Sequence, residues 1–148
     1  MSTDLGEPGA GSPFPQGPIA EHAELFAHAF EHAPVIITIH HGPDHVLVYF
    51  NAAARRTTAA RHAIDLPLAA IFPEDEIKTV RDRFDQAYRS GLTVQSGVYR
   101  MREVGALNPD EHYYVQTVVP RFDAQDEVVG VTSFTLQLDA DRASARTN

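Results

Sequence analysis

Alternation of apolar and polar positions is most sustained near the C-terminal end of the chain. From His112 to Asp139 it reads HYYVQTVVPRFDAQDEVVGVTSFTLQLD, two runs rich in Val, Thr, Tyr and Phe on either side of the polar stretch Asp123 to Asp126. Such residues fit a pleated, half-buried surface, so the stretch predicts two long strands joined by a short turn. Pro120 has no N–H for a ladder and belongs at a bulge or on a strand side without a partner. Gly130 marks a bend or a close approach. Val35–His40 and His45–Phe50 predict a second hairpin, turned by His41-Gly42-Pro43-Asp44, and Val94–Arg102 predicts a fifth strand. Two segments carry a helical period instead. Ile19, Ala23, Phe26, Phe30 and Ala33 recur every three or four residues before Pro34, which predicts a helix over 19–33. Ile77, Val80, Phe84, Ala87 and Tyr88 form one face of a longer helix, Glu74–Ser90. Arg81, Asp82, Asp85 and Arg89 lie on its other side, and Gly91 stops it. Asn51 is a good cap for one or two short helices in the small-residue stretch after it, and Leu66–Phe72 is a short apolar segment closed by Pro73. The expectation is an α+β fold, a five-stranded antiparallel sheet with helices entering after the second strand.

Composition narrows the boundaries. Residues 1–18 include Gly6, Pro8, Gly9, Gly11, Pro13, Pro15, Gly17 and Pro18, too little apolar surface to offset chain ordering, so disorder is expected there. Residues 139–148 lack large apolar side chains and read as a flexible tail. One domain over 19–138 follows. The chain has no cysteine, which removes disulfides, thiolate metal sites, cysteine nucleophiles and cysteinyl chromophore adducts. No apolar run reaches the ~20 residues of a membrane span, and no basic-then-apolar leader is visible. The net charge of −8 opposes contact with a phosphate backbone. A cytoplasmic protein is expected, with neither nucleic acid nor membrane as a direct partner.

Several short motifs, taken in order, resemble those of PAS domains. They are Phe30-x3-Pro34, Val48-Tyr49-Phe50-Asn51-Ala52-Ala53 and Leu66-x4-Ile71-Phe72-Pro73. Val118-Val119-Pro120-x-Phe122-Asp123 and Val128-Val129-Gly130-Val131 come after these. The similarity covers Phe30 to about Asp141. It implies a PAS-like sheet with flanking helices and an N-terminal capping helix. It also implies a sensor or protein-interaction module of signal transduction that binds a small molecule or partner and alters assembly. The family's terminal Asp-Ile-Thr is matched only by Asp139-Ala140-Asp141, with little chain after it, so the expected partner is a separate signalling protein rather than an attached effector. The alternative is a small cone-shaped α+β barrel enzyme, similar to ketosteroid isomerases or polyketide cyclases. Element order opposes it, because two strands here precede the long helix.

Candidate chemistry is sparse. His40, His41 and His45 cluster at a hairpin turn with Asp44 beside them, but no metal-ligand spacing is matched, and the expected reading is a turn exposing polar residues. His22, His28 and His32 do not share one helix face. Haem-binding PAS domains usually ligate iron from the long helix, which has no histidine here, so the resemblance disfavours haem. The last strand is similar to the glutamine-bearing strand of the light-sensing LOV subgroup, with Gln137 at the flavin-contacting position. The Asn-Cys-Arg-Phe-Leu-Gln motif is missing, and Val98 and Tyr114 stand at the paired asparagine positions, so LOV-type flavin chemistry is not expected. Ser96, Ser133 and the threonines have no nucleophile context, and no catalytic residue is assigned. Glu74, Asp75 and Glu76 suit a helix N-terminus.

The LOV resemblance implies that Gln137 points inward, and that placement sets the facing of the closing hairpin. Tyr114, Gln116 and Val118 then share the inner face with Ser133, Thr135 and Gln137. Ile71, Phe72, Val80, Phe84 and Val98 supply apolar walls. Apolar walls with a few convergent polar groups describe a small-ligand cavity. The outward set, Phe134, Leu136 and Leu138, is apolar and needs a cover. The stripe Ile19, Ala23, Phe26 and Phe30 is expected to supply it, from the same chain or from a partner, and a homodimer through these residues is the favoured expectation over a helix that caps its own sheet.

Overall fold

A computed structural model describes residues 19–56, 63–71, 74–102 and 111–138, in two units divided between Phe30 and Glu31. Helix α1 is Ile19–Glu31, all but its last residue in the first unit. Within it, Leu25, Phe26 and Phe30 are exposed.

The second unit holds the sheet. Strands β1 (Ile36–His41) and β2 (Val46–Phe50) form the first hairpin. Its turn places Gly42 at φ +77° and His45 at φ +55°, with the His45 N–H donating to the Gly42 carbonyl at 3.1 Å. Short helices α2 (Ala52–Arg55) and α3 (Leu68–Ile71) come next, then α4 over Glu74–Ser90, the range its period predicts. Gly91 ends α4 at φ +69°, a left-handed position that suits glycine. The remaining strands are β3 (Val94–Gln95), β4 (Tyr99–Arg102), β5 (Glu111–Phe122) and β6 (Val128–Leu138).

All pairings are antiparallel. The order is β2-β1-β6-β5-β3, with β4 also paired to β5. The single strand expected over Val94–Arg102 is therefore two, and among the described residues the sheet has six strands where five are expected. The cause is local. Ser96 to Val98 lie where the register with β5 slips by one residue. The Ser96 hydroxyl takes the Gln116 backbone N–H at 2.9 Å, displacing the ladder carbonyl that would otherwise accept it.

Asn51 locks the first hairpin to helix α2. Its Oδ1 accepts from the Ala54 N–H (3.1 Å), capping that helix, and from the Ile37 N–H (3.0 Å). Its Nδ2 donates to the Val35 carbonyl at 2.9 Å. The closing turn is held by Asp123, whose Oδ1 accepts from the N–H groups of Gln125 (2.8 Å) and Glu127 (3.0 Å). Asp126 takes the positive φ, +61°, that this turn requires.

Both backbone punctuation marks read from the sequence have clear roles. Pro120 pairs with Val131 of β6, and on its other side lies past the end of β3, so no partner misses its N–H. Gly130 lies under Arg121, whose Nη2 donates to the His40 carbonyl at 2.8 Å. A Cβ there would stand 2.2 Å from that oxygen, a distance no side chain tolerates.

Helix α4 packs on β5 and β6. Ile77, Val80, Phe84 and Ala87 meet Leu68, Val118 and Val131 in one buried cluster, with Tyr88, Val94, Tyr99 and Met101 against its edge. This is the helix face the periodicity predicts.

Candidate functional site

The inner face of the sheet, under α4, carries a polar cluster inside an apolar frame. Gln116 projects from the middle of β5 and is 4% exposed. Its Nε2 donates to the hydroxyls of Ser133 (2.9 Å) and Thr135 (3.3 Å) on β6, which lie 3.3 Å from each other. Register explains the meeting: Gln116 pairs with Thr135 and Val118 with Ser133, so the three side chains share one face. From the helix side, Arg83 Nε donates to Gln116 Oε1 at 2.9 Å. The Arg83 guanidinium lies 4.4 Å over the Tyr99 ring, a cation–π contact. Tyr99 in turn packs beside Tyr114, centroids 5.7 Å apart. Burial raises the Tyr99 pKa, with the nearby Arg83 charge and hydrogen bond opposing the rise.

Tyr114, Gln116, Val118, Ser133, Val80 and Phe84 are buried as expected, and Thr135, Ile71 and Val98 are half-buried. Phe72 lies outside the described residues. Gln137 departs from expectation. It pairs with Tyr114 and so belongs to the anticipated face, but it is exposed, and its Nε2 lies 3.0 Å from His112 Nδ1. It sits near the end of β6, away from the Gln116 cluster, and no part of that cluster reaches it. Of the outward set, Phe134 and Leu136 are half-buried and Leu138 is buried, so Leu138 is not part of an exposed strip.

Sequence reading missed Arg83, Tyr99 and Ser96. A sign of Arg83 was present. At ~100° per residue it stands about 40° from Ala87 and about 60° from Val80, on the margin of the apolar stripe. Ser96 and Tyr99 leave no such trace: Ser96 meets Gln116 by continuing the β3 register, and Tyr99 reaches Tyr114 only through the one-residue slip that follows.

On the other flank of α4, the histidines at the first hairpin do not decorate an exposed turn. His40 and His45 are both buried, and only His41 is exposed. His45 Nε2 hydrogen-bonds Asp85 Oδ1 at 2.7 Å, so Asp85 faces the hairpin instead of solvent. The His45 ring stands edge-on to Phe84 and Tyr88. His40 Nδ1 lies 3.2 Å from the His45 carbonyl, and its Nε2 lies 2.9 Å from Thr38 Oγ1. A carbonyl only accepts, so Nδ1 carries the proton and Nε2 accepts from the hydroxyl. Burial pushes the His40 pKa down to about 4. The His45 backbone hydrogen bond opposes this, and the His45 and Arg121 charges add to it. Among the described residues no group of His, Asp or Glu is arranged to hold a metal.

Comparison with known proteins places this geometry. A PAS-fold family model matches residues 30–140. A PAS domain from Colwellia psychrerythraea superposes at TM-score 0.64 with 13% identity, covering 79% of this chain and 97% of that one. An RNA-binding light-oxygen-voltage receptor gives TM-score 0.66 at 21% identity, over 92% of this chain and 38% of the receptor. VqmA matches both as the Vibrio cholerae dimer without target DNA and bound to DPO. The dimer gives TM-score 0.62, 16% identity and coverage of 85% and 53%; the DPO complex gives 0.62, 18%, 78% and 57%. The chain thus spans about half of VqmA and less of the receptor. At these identities the structures share a fold with this protein. The family match runs over most of the chain, from the end of α1 through β6, and this protein belongs to the PAS-fold family.

Proposed function

We propose that this PAS domain is a non-enzymatic sensor that binds a small, partly polar molecule between α4 and the inner face of the sheet. Membership of a family typical of signal-transduction sensors supports the class of function. The observation that carries the ligand is the buried Gln116–Ser133–Thr135 cluster joined to Arg83 under the long helix. Polar groups buried without partners cost ~1–3 kcal/mol each, so a polar patch in this position is retained only where it is satisfied or used. Ligand pockets pair apolar walls with such convergent groups, and Val80, Phe84, Val118 and Tyr99 would supply the walls here. VqmA bound to DPO is a precedent for a bound ligand in a protein that shares this fold.

The same reading has the domain act through assembly, as a cytoplasmic homodimer that hands its signal to a protein partner. The charge of −8 disfavours direct nucleic-acid contact by this domain. The reading assigns no metal and no LOV-type flavin, and it disfavours haem. His45 and Asp85 resemble a catalytic pair in distance alone. Their neighbours are the rings of Phe84 and Tyr88, and their role is structural.

The test is a ligand-observed NMR screen of a mixed neutral and charged fragment library, with amide shifts mapped on the protein. Hits that perturb Gln116, Ser133 and Thr135, and that weaken in Gln116→Leu, are the expected result. A screen whose hits all map elsewhere would sink the inner-face site.

A further inference from the structure

Arg83 keeps one buried nitrogen, Nη2, with no hydrogen-bond partner. Its Nε is committed to Gln116, and one face of its guanidinium is stacked on Tyr99, so the plane of the group is held from two directions. The ion pairs among the described residues join His45 with Asp85, Arg55 with Glu31 and Lys78 with Asp82, and none includes Arg83. A guanidinium is charged at every relevant pH, and its donors lie in one rigid plane. Tyr99 also engages the guanidinium through its hydroxyl, and Nη2 still has no hydrogen-bond partner. The Gln116 amide donates to both the Ser133 and Thr135 hydroxyls, and one of those hydroxyls donates to the other. What the cluster lacks is a single negative charge with planar acceptor oxygens, placed beside aromatic rings.

The geometry points to a small monocarboxylate with an apolar body as the ligand class of this domain, its carboxylate taken by the Nη edge of Arg83. This rests on the inner-face site proposed above and names what that site selects. A carboxylate matches the fork in shape and carries one charge against one cation. A phosphate dianion would bring a second charge and more acceptor oxygens, for which this cluster holds no further cation. Tyr99 and Tyr114 form the wall for the ligand's apolar part.

The experiment is isothermal titration of the full chain with benzoate, 3-phenylpropionate and hexanoate, each against its primary amide. The wild type is compared with Arg83→Met and Arg83→Lys. The acids are expected to bind at least about thirtyfold more tightly than their amides. Arg83→Met should lose about thirtyfold or more of the acid affinity, as when one partner of a buried charge pair is truncated. Arg83→Lys should fall between, because an ammonium keeps the charge without the fork. If Arg83→Met does not fold, the Arg83→Lys comparison stands, together with the wild-type Arg83 Nε–H resonance, which should shift with benzoate and not with benzamide. Acids and amides binding equally, in wild type and variants alike, would overturn the carboxylate class and leave the inner-face pocket standing. Binding of neither series would also overturn the class, and the fragment map around Gln116 would then decide the pocket separately.

Discussion

Asn51 and His40 are buried polar side chains of the first hairpin region, and each is satisfied in a different way. Asn51 is fully enclosed, and its amide answers three backbone groups that no ladder reaches: the N–H of Ile37, the N–H of Ala54 and the carbonyl of Val35. Asn51→Ala would strand all three at once. At ~1–3 kcal/mol for each buried orphan, the expected loss is about 3 kcal/mol or more, read as a lower urea midpoint with an unchanged m-value. His40 is satisfied only while neutral, since Thr38 donates to its Nε2 and burial opposes a charge. Its folded pKa of about 4 lies below the ordinary 6.5. The unfolded chain therefore binds more protons between those values, and stability rises with pH across that window. His40 contributes fully above pH 6.5 and loses its contribution as pH falls toward 4, on the order of 3 kcal/mol in all. Thermal melts at pH 7, 5.5 and 4 should show the decline. His40→Gln should flatten it, and an equally steep decline in that variant would assign the effect to other groups.

Among the elements, α4 carries the most. Its apolar stripe holds the core, while its two margins hold the polar clusters, Arg83 toward β5 and Asp85 toward the first hairpin. Phe84 is the hinge of that arrangement, 2% exposed and in edge contact with both His40 and His45. Phe84→Ala should cost ~3–5 kcal/mol through lost burial and the cavity left behind. A loss below ~1 kcal/mol in chemical denaturation would mean that the face is not the core. The helix itself, its Gly91 stop and both hairpins were legible in the chain because period and turn chemistry are local properties. The break of the fifth strand at Ser96 was not, since it depends on a hydroxyl meeting the N–H of Gln116, twenty residues away.

For the molecule as a whole, the open matter is assembly. Phe134 and Leu136 are half-buried on the outward side of β6, and α1 exposes Leu25 at 65%. Apolar surface of this kind is usually covered by another surface. Light scattering at micromolar concentration is expected to report a homodimer, and Leu25→Glu with Leu136→Glu should shift it toward monomer. A wild-type protein that stays monomeric at millimolar concentration would refute the dimer.

The order of helices and strands, the core face of α4, the Asn51 cap and the sharing of one face by Tyr114, Gln116 and Val118 come from residue type and spacing, while the resemblance of the last strand at Gln137 implies that this face is the inner one. A period of two or of 3.6 states which side chains share a face before any partner is known. That same alternation put Gln137 on the right face but could not say that the face runs out into solvent near the end of β6. Nor could it show His40 and His45 buried against Phe84, Asp85 turned inward to meet them, or Arg83 laid over Tyr99 with a donor to spare. Those facts arise where separate elements cross, and burial at a crossing depends on what lands there, which no stretch of this chain specifies alone.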